Sequence, residues 1–406
     1  MKRLLFAILG LLIMLSSCGG GEKNLGDKIN NLARPYAFSL LRWETDMLSQ
    51  EIDEHIRRPY QEDSTDASLV IRYFGLVDQE NILRQRIDNI QGGFVQGSVS
   101  GVQISLDAVS AERKAIERET EEILARQMSL AAAGLGIHNP LDPYWDLRVT
   151  FPPVKMRLQE PPQLLVVSPR ERIDRIASIT LQSDTSQLDA VSLENDVEAL
   201  DVSAIVVGLG GIATYPSFVN NNYGLSTALD IAAEEWFHQY LFFRPLGFRY
   251  ALDEVGIAQP LDIVIMNETL AGMVAGELAA EVARLFYSNS LGHAPVTYAA
   301  QPTFDFYGEL CNTRNAVDTL LAAGKVREAE SYMESRRLEF ADHGYYIRKL
   351  NQAYFAFYGC YANQPGFENP IGVDMRALRE NSATLASFVQ LASSFTSRAD
   401  LSRAVD

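Results

Sequence analysis

Cysteine and histidine are scarce in this chain: three and five in 406 residues. Cys18, Cys311 and Cys360 do not have the spacing of a metal site. His55, His138, His293 and His343 stand isolated in sequence, which leaves His238 as the one histidine inside a motif. A Gly-x-Ser-x-Gly elbow is missing, so a serine hydrolase of that kind has no support. Positive charge is also short, with 35 Lys and Arg against 52 Asp and Glu and a net charge of −17. Such a surface repels phosphate backbones and anionic headgroups, which argues against nucleic acid as a partner. Long apolar runs are lacking as well. The run from Leu4 to Leu15 is too short to cross about 30 Å of hydrocarbon, and there is no internal repeat or low-complexity tract.

What the chain does have is enough apolar residue, 47%, to bury one large core or two smaller ones. It begins Met1-Lys2-Arg3, continues through the apolar run, and reaches Leu15-Ser16-Ser17-Cys18-Gly19. That order is a charged n-region, a short h-region and a small-residue exit. It resembles a bacterial lipoprotein signal, which implies removal of residues 1–17 and lipidation of Cys18. Two or three acyl chains, at about 0.8 kcal/mol per buried methylene, anchor a protein stably without a spanning helix. The expected location is therefore extracytoplasmic, at a bacterial membrane. Cys311 and Cys360 then remain, either as one disulfide or as two buried small residues.

Helical spacing of apolar residues fills Leu25–Tyr60, Gln79–Ile90 and Ser110–Ala133, so residues 18–144 form a helical N-terminal region. The long helix at Ser110–Ala133 would serve as a spacer or a dimer face. From about Trp145 the texture changes to short β-like runs, Leu147–Phe151, Leu164–Val167 and Ala204–Val207. The acidic stretch Asp189–Asp201 reads as a solvated connection or a short helix. Gly208-Leu209-Gly210-Gly211 lacks a nucleotide fingerprint and reads as a turn between strands. Ile212–Val219 contains Pro216, which allows it only as an edge strand. A helix over Ala228–Phe242 follows, with Ser226 or Thr227 as N-cap. A short run at Asp262–Met266 leads to another helix from about Glu268 to Tyr287. Helices then occupy Phe304–Ala323, Val326–Ala341 and Ile347–Tyr361, and a polar helix follows Pro370. The fold class is α+β and predominantly helical, with a small mixed sheet at 145–300 and a helical region at 301–406.

The most informative residues are Ala233-Glu234-Glu235-Trp236-Phe237-His238 and, some 30 residues on, Asn267-Glu268-Thr269-Leu270-Ala271-Gly272. In His-Glu-x-x-His, two ligands one helical turn apart face the same way and the Glu beside the first acts on metal-bound water. Here Glu234 stands where the first His would be. Together with the Asn-Glu start of the second segment, this resembles the gluzincin metallopeptidases, which include thermolysin and many aminopeptidases. The resemblance implies Glu234, His238 and Glu268 as metal ligands and Glu235 as general base. Gly272 replaces an Asp that would accept from the missing His, so the two departures go together.

Leu350-Asn351-Gln352-Ala353, followed by Tyr358 and Tyr361, resembles the Asn-Asn-Ala-x-Leu segment of bacterial gluzincin aminopeptidases. It implies Tyr361, or failing that Tyr358, as hydrogen-bond donor to the developing oxyanion. The likeness covers Ser203–Ala362 in patches. A zincin-like region would thus occupy 145–300, with peptide or protein as substrate and an edge strand to hold it.

Two carboxylates and one imidazole cancel the charge of a divalent ion, which leaves bound water less acidic than in a site with two imidazoles. Zinc is the first expectation, with manganese or iron as harder alternatives. Two other uses of these residues compete. Glu234 and His238 one turn apart would simply support a helix. A catalytically inactive peptidase-like lipoprotein would use the same fold to bind a peptide or protein. Glu235-x-x-His238 is also half of a di-iron motif, but its second half is absent. His343 is the one further histidine expected within reach of the site.

Overall fold

A computed structural model describes residues 23–47, 66–141, 150–254, 257, 259–288, 304–358 and 370–405. Cys18, Cys360 and Tyr361 lie outside these. The fold is α+β and predominantly helical, with two three-stranded sheets.

The described chain opens with α1 (Lys23–Ala33), followed by the antiparallel pair α2 (Ala67–Gln91) and α3 (Val99–Gly134). Both long helices outrun the sequence expectation toward their N-termini, where Asp66 caps α2 and Ser98 caps α3 through side-chain oxygens. Strands β1 (Met156–Leu158), β2 (Gln163–Pro169) and β3 (Ala177–Leu181) come next, then α4 (Gln187–Glu198) and β4 (Val202–Val207). The β-like run expected at Leu147–Phe151 gives no strand at residues 150 and 151, the part of it that is described. The acidic stretch is a helix with a buried face, since Ala190, Leu193, Glu194 and Val197 of α4 turn inward.

One sheet has the order β3-β2-β4, all antiparallel. Side chains alternate across it as a period of two requires. Leu165, Val167, Ala204 and Val206 pack against α1 and α4, while Val166, Ile205 and Val207 face α10 (Gln352–Tyr358). A buried carboxylate rivets these layers: Glu194 of α4 accepts from the Val206 N–H at 2.6 Å and from Arg348 at 2.5 and 2.9 Å. Asn351 donates to the Ala204 carbonyl at 2.9 Å, so the Asn351 segment docks on this sheet.

The second sheet has the order β1-β6-β5, with β6 (Ser217–Val219) parallel to β1 and antiparallel to β5 (Gly211–Ile212). The expected single edge strand at 212–219 is therefore two strands. The chain turns at Thr214, whose hydroxyl donates to the Pro216 carbonyl at 2.7 Å, so β5 keeps the edge and β6 becomes central.

Next come α5 (Leu225–Leu241), α6 (Pro245–Glu254) and α7 (Leu261–Phe286). α5 starts earlier than expected, with Gly224 rather than Ser226 or Thr227 at the N-cap and no side-chain cap. α7 also starts early, because Ile263, Ile265 and Met266 are its first buried turns rather than a separate run. It is apolar and long enough to cross a membrane by length and composition, yet it is the central core helix here. Its neighbours in that core are α2, α3, α5, β1, β6 and the closing helices α11 (Pro370–Asn381), α12 (Leu385–Ala392) and α13 (Arg398–Val405). The end of the chain is thus three helices with apolar faces rather than one polar helix. α8 (Phe306–Ala322) and α9 (Val326–Asp342) form a separate cluster with Phe355 of α10. Cys311, on α8, is disulfide-bonded, and its partner falls outside the described residues.

Candidate metal centre

α5 buries Leu225, Ala228, Leu229, Ala232, Ala233, Trp236, Phe237, Tyr240 and Leu241, a pattern of three and four residues that fixes one face to the core. The Trp236 indole donates to the Pro152 carbonyl at 2.9 Å and locks the rotation of the helix. The opposite face then carries Asp230, Glu234, Glu235 and His238. α7 lies against it with Glu268 toward His238, whose Nε2 is 3.9 Å from a Glu268 carboxylate oxygen.

Glu234, His238 and Glu268 each offer one donor atom, and the three lie within 4.8 Å of one another. A tetrahedral zinc site needs donors about 3.4 Å apart, given bonds of about 2.1 Å. Small side-chain rotations close that gap. Among the described residues no Lys or Arg pairs with Glu234, Glu235 or Glu268. Burial raises the Glu234 carboxyl, His238 opposes this, and Glu268 and Asp230 add to it. Glu235 is pushed well above the ordinary carboxyl range by burial and then by Glu234 and Glu268. Three carboxyl groups gathered around a single imidazole, with no Lys or Arg paired to them among the described residues, call for a cation or for protons.

Asn267, fully buried on α7, tests the fit further. Its Nδ2 lies 3.1 Å from His238 Nδ1, while its Oδ1 is buried without a partner. With the amide turned over, Oδ1 accepts from Nδ1–H and leaves the Nε2 lone pair directed toward the Glu268 side. That is the tautomer a metal requires, held by the partner ligating histidines usually have. The donor set and this orphaned oxygen fit a divalent ion. Replacing Asn267 with Ala is expected to weaken metal affinity by about 10–100-fold, measured by competition with a chelating dye.

Glu235 does not join the three donors. Its carboxyl lies against β5, where a Cβ built on Gly211 would be 2.7 Å from Glu235 Oε1 and 2.6 Å from Ile231. Only glycine lets the edge strand come this close. One residue past His238, Gln239 donates to Ser217 at 2.7 Å and to the Thr214 carbonyl, pinning the β5–β6 turn to the same helix.

Tyr250 of α6 stacks on the His238 ring, 5.6 Å between centroids and 19° between planes. Its place depends on Gly247, because a Cβ there would be 2.2 Å from the Leu241 carbonyl oxygen. Gly247→Ala must push α6 off the end of α5. The expected cost is about 1–3 kcal/mol, as for overpacking, read by urea denaturation together with a weaker metal site.

Of the other residues read from sequence, Tyr358 packs on Tyr354 and Phe357, with ring centroids at 4.5 and 4.8 Å, and its described contacts do not include the three donors. His343 is exposed and stacks at 3.9 Å on Phe304, which packs against the α8–α9 cluster, so its described contacts lie there and not at the site. Sequence reading passed over Asn267 as a positioner and over Tyr250 altogether. The signal for Tyr250 is Gly247, a glycine six residues past a helix end. Compared with family models, curated proteins and solved structures, the chain gives no match, so the site rests on its own residues.

Proposed function

We propose that this chain is a metal-dependent peptidase, anchored outside the cytoplasm through a lipidated Cys18, that hydrolyses peptide bonds with a metal-activated water. The observation that carries the reading is the joint placement of three convergent donors and a half-buried Glu235 against the edge strand β5. Glu234, His238 and Glu268 hold the ion, zinc first and manganese or iron as alternatives. A divalent ion there supplies Lewis acidity toward water and the scissile carbonyl. Asn267 sets the His238 tautomer, and the Tyr250 ring limits its rotation. Glu235 takes a proton at its carboxylate, and β5 offers unpaired backbone groups to an extended substrate. Tyr361, or Tyr358, remains the proposed donor to the oxyanion.

A second reading is a catalytically inactive peptide-binding lipoprotein. The observation favouring it is that burial and two neighbouring carboxylates push the Glu235 carboxyl well above its ordinary range in the metal-free chain. Such a group is no base until a cation offsets its neighbours.

The test is metal content by mass spectrometry on the soluble chain from Gly19 onward, beside a Glu234→Ala, His238→Ala double variant. About one ion per chain in the parent and none in the variant is the expected result. A parent that stays metal-free after exposure to zinc, manganese and iron ends the hydrolase reading.

A further inference from the structure

The Gly210 end of β5 continues into a surface unlike the acidic site. Asn220 N–H donates to the Gly210 carbonyl at 2.9 Å, which fixes the loop that carries Tyr223 beside the edge strand. Tyr223 is 41% exposed and Tyr358 is 36% exposed. Tyr358 packs on Tyr354 at 4.5 Å and meets Phe357 edge-on at 4.8 Å. Leu209, the residue before Gly210, packs on the same cluster as Tyr354 and Phe357. Burial and then the nearby Tyr223 raise the Tyr358 phenol, so it stays neutral at physiological pH. Leu209 precedes β5 by two residues, so with about 3.8 Å between successive Cα atoms it lies within about 7.6 Å of Gly211, against which Glu235 packs.

We propose that Tyr223, Tyr354, Phe357 and Tyr358 form a subsite that takes an aromatic side chain of an extended peptide lying along β5. The inference rests on the peptidase-fold reading of the site and names its substrate class. Aromatic faces favour offset or edge-on partners, and successive side chains of a peptide on β5 point alternately toward and away from this ledge. An acidic peptide is disfavoured by the carboxylates of the site, while an aromatic one has a matching surface within two residues of the metal ligands' helix face.

The test is binding, by fluorescence anisotropy, of two labelled extended peptides that differ only by Phe or Ala at one position, scanned along the peptide. The protein is the soluble chain from Gly19 onward with Glu235→Gln, so that no turnover intervenes, and metal content is measured on each sample. The Phe peptide is expected to bind about tenfold more tightly at one position, the scale of one buried ring. Tyr223→Ser with Tyr358→Ser should bring that ratio close to one, while Tyr223→Phe with Tyr358→Phe keeps it, both with unchanged metal. A ratio near one in the parent, or one that survives the Ser pair, overturns the subsite. Metal without the ratio removes the subsite and leaves the peptidase reading. The ratio without metal does the reverse.

Discussion

Glu235→Gln leaves the metal in place and lowers peptide hydrolysis by about 10²–10⁴-fold, the usual contribution of a general base. The substitution separates two roles that most active-site changes confound. In the metal-free chain burial and the charges of Glu234 and Glu268 raise the Glu235 carboxyl well above its ordinary range, and a neutral Gln has nearly the same shape. Stability of the metal-free chain should therefore change by no more than about 0.5 kcal/mol, as for substitutions outside the costly classes. Metal content should match the parent, because Glu235 is not among the three convergent donors. Retained hydrolysis would remove Glu235 as the base. A parent that holds metal and cleaves nothing across a peptide library would move the protein to the peptide-binding reading.

Glu194→Gln is expected to destabilise the fold by about 3–5 kcal/mol at pH 7, the cost of breaking a buried ion pair. Glu194 is 1% exposed and faces Arg348, Lys349 and the Val206 N–H. Burial alone would raise its carboxyl, but hydrogen bonds from Arg348 and Val206 and the charges of Lys349 and Arg348 outweigh it and hold it below 4.5. A carboxyl depressed in the folded state contributes stability that is complete above its unfolded value and is lost as pH falls through the folded one. The gap between parent and variant should hold from pH 8 to about 5 and close below 4.5. Urea titrations at several pH values measure it, and a gap constant down to pH 3 would show that the pair contributes packing rather than charge.

Sequence alone exposed the site helix because Glu234, Glu235 and His238 lie within five residues and α5 has a regular apolar face. Glu268 was legible for the same reason, one short motif at the right distance. What the sequence hid is set by packing between elements distant in the chain. Asp262–Met266 read as a short run ahead of the helix, but burial of Ile263, Ile265 and Met266 makes it the first turns of α7. β3 was missed because Ala177–Leu181 has a burial pattern with only Leu181 fully inside, too weak an alternation to read. The ring of Tyr250 reaches His238 only because Gly247 admits the Leu241 carbonyl, a contact whose one trace in the sequence is the glycine itself. The stretch after Pro370 read as polar because the apolar residues of α11 and α13 are spaced among charged ones, yet Ile371, Met375, Leu378, Leu385, Phe388, Val389, Ala392, Phe395 and Leu401 all reach the core.

The single core around α7 sets how the site is lost. Its apolar walls come from residues as far apart as Val70 and Leu401, so the helices bearing Glu234 and Glu268 take much of their support from outside 145–300. A fragment cut to that region would present the buried faces of α5 and α7 to water and aggregate instead of folding. Proteolytic trimming of either flank would be an off switch, and loss of the donor geometry should coincide with global unfolding, as a single cooperative event.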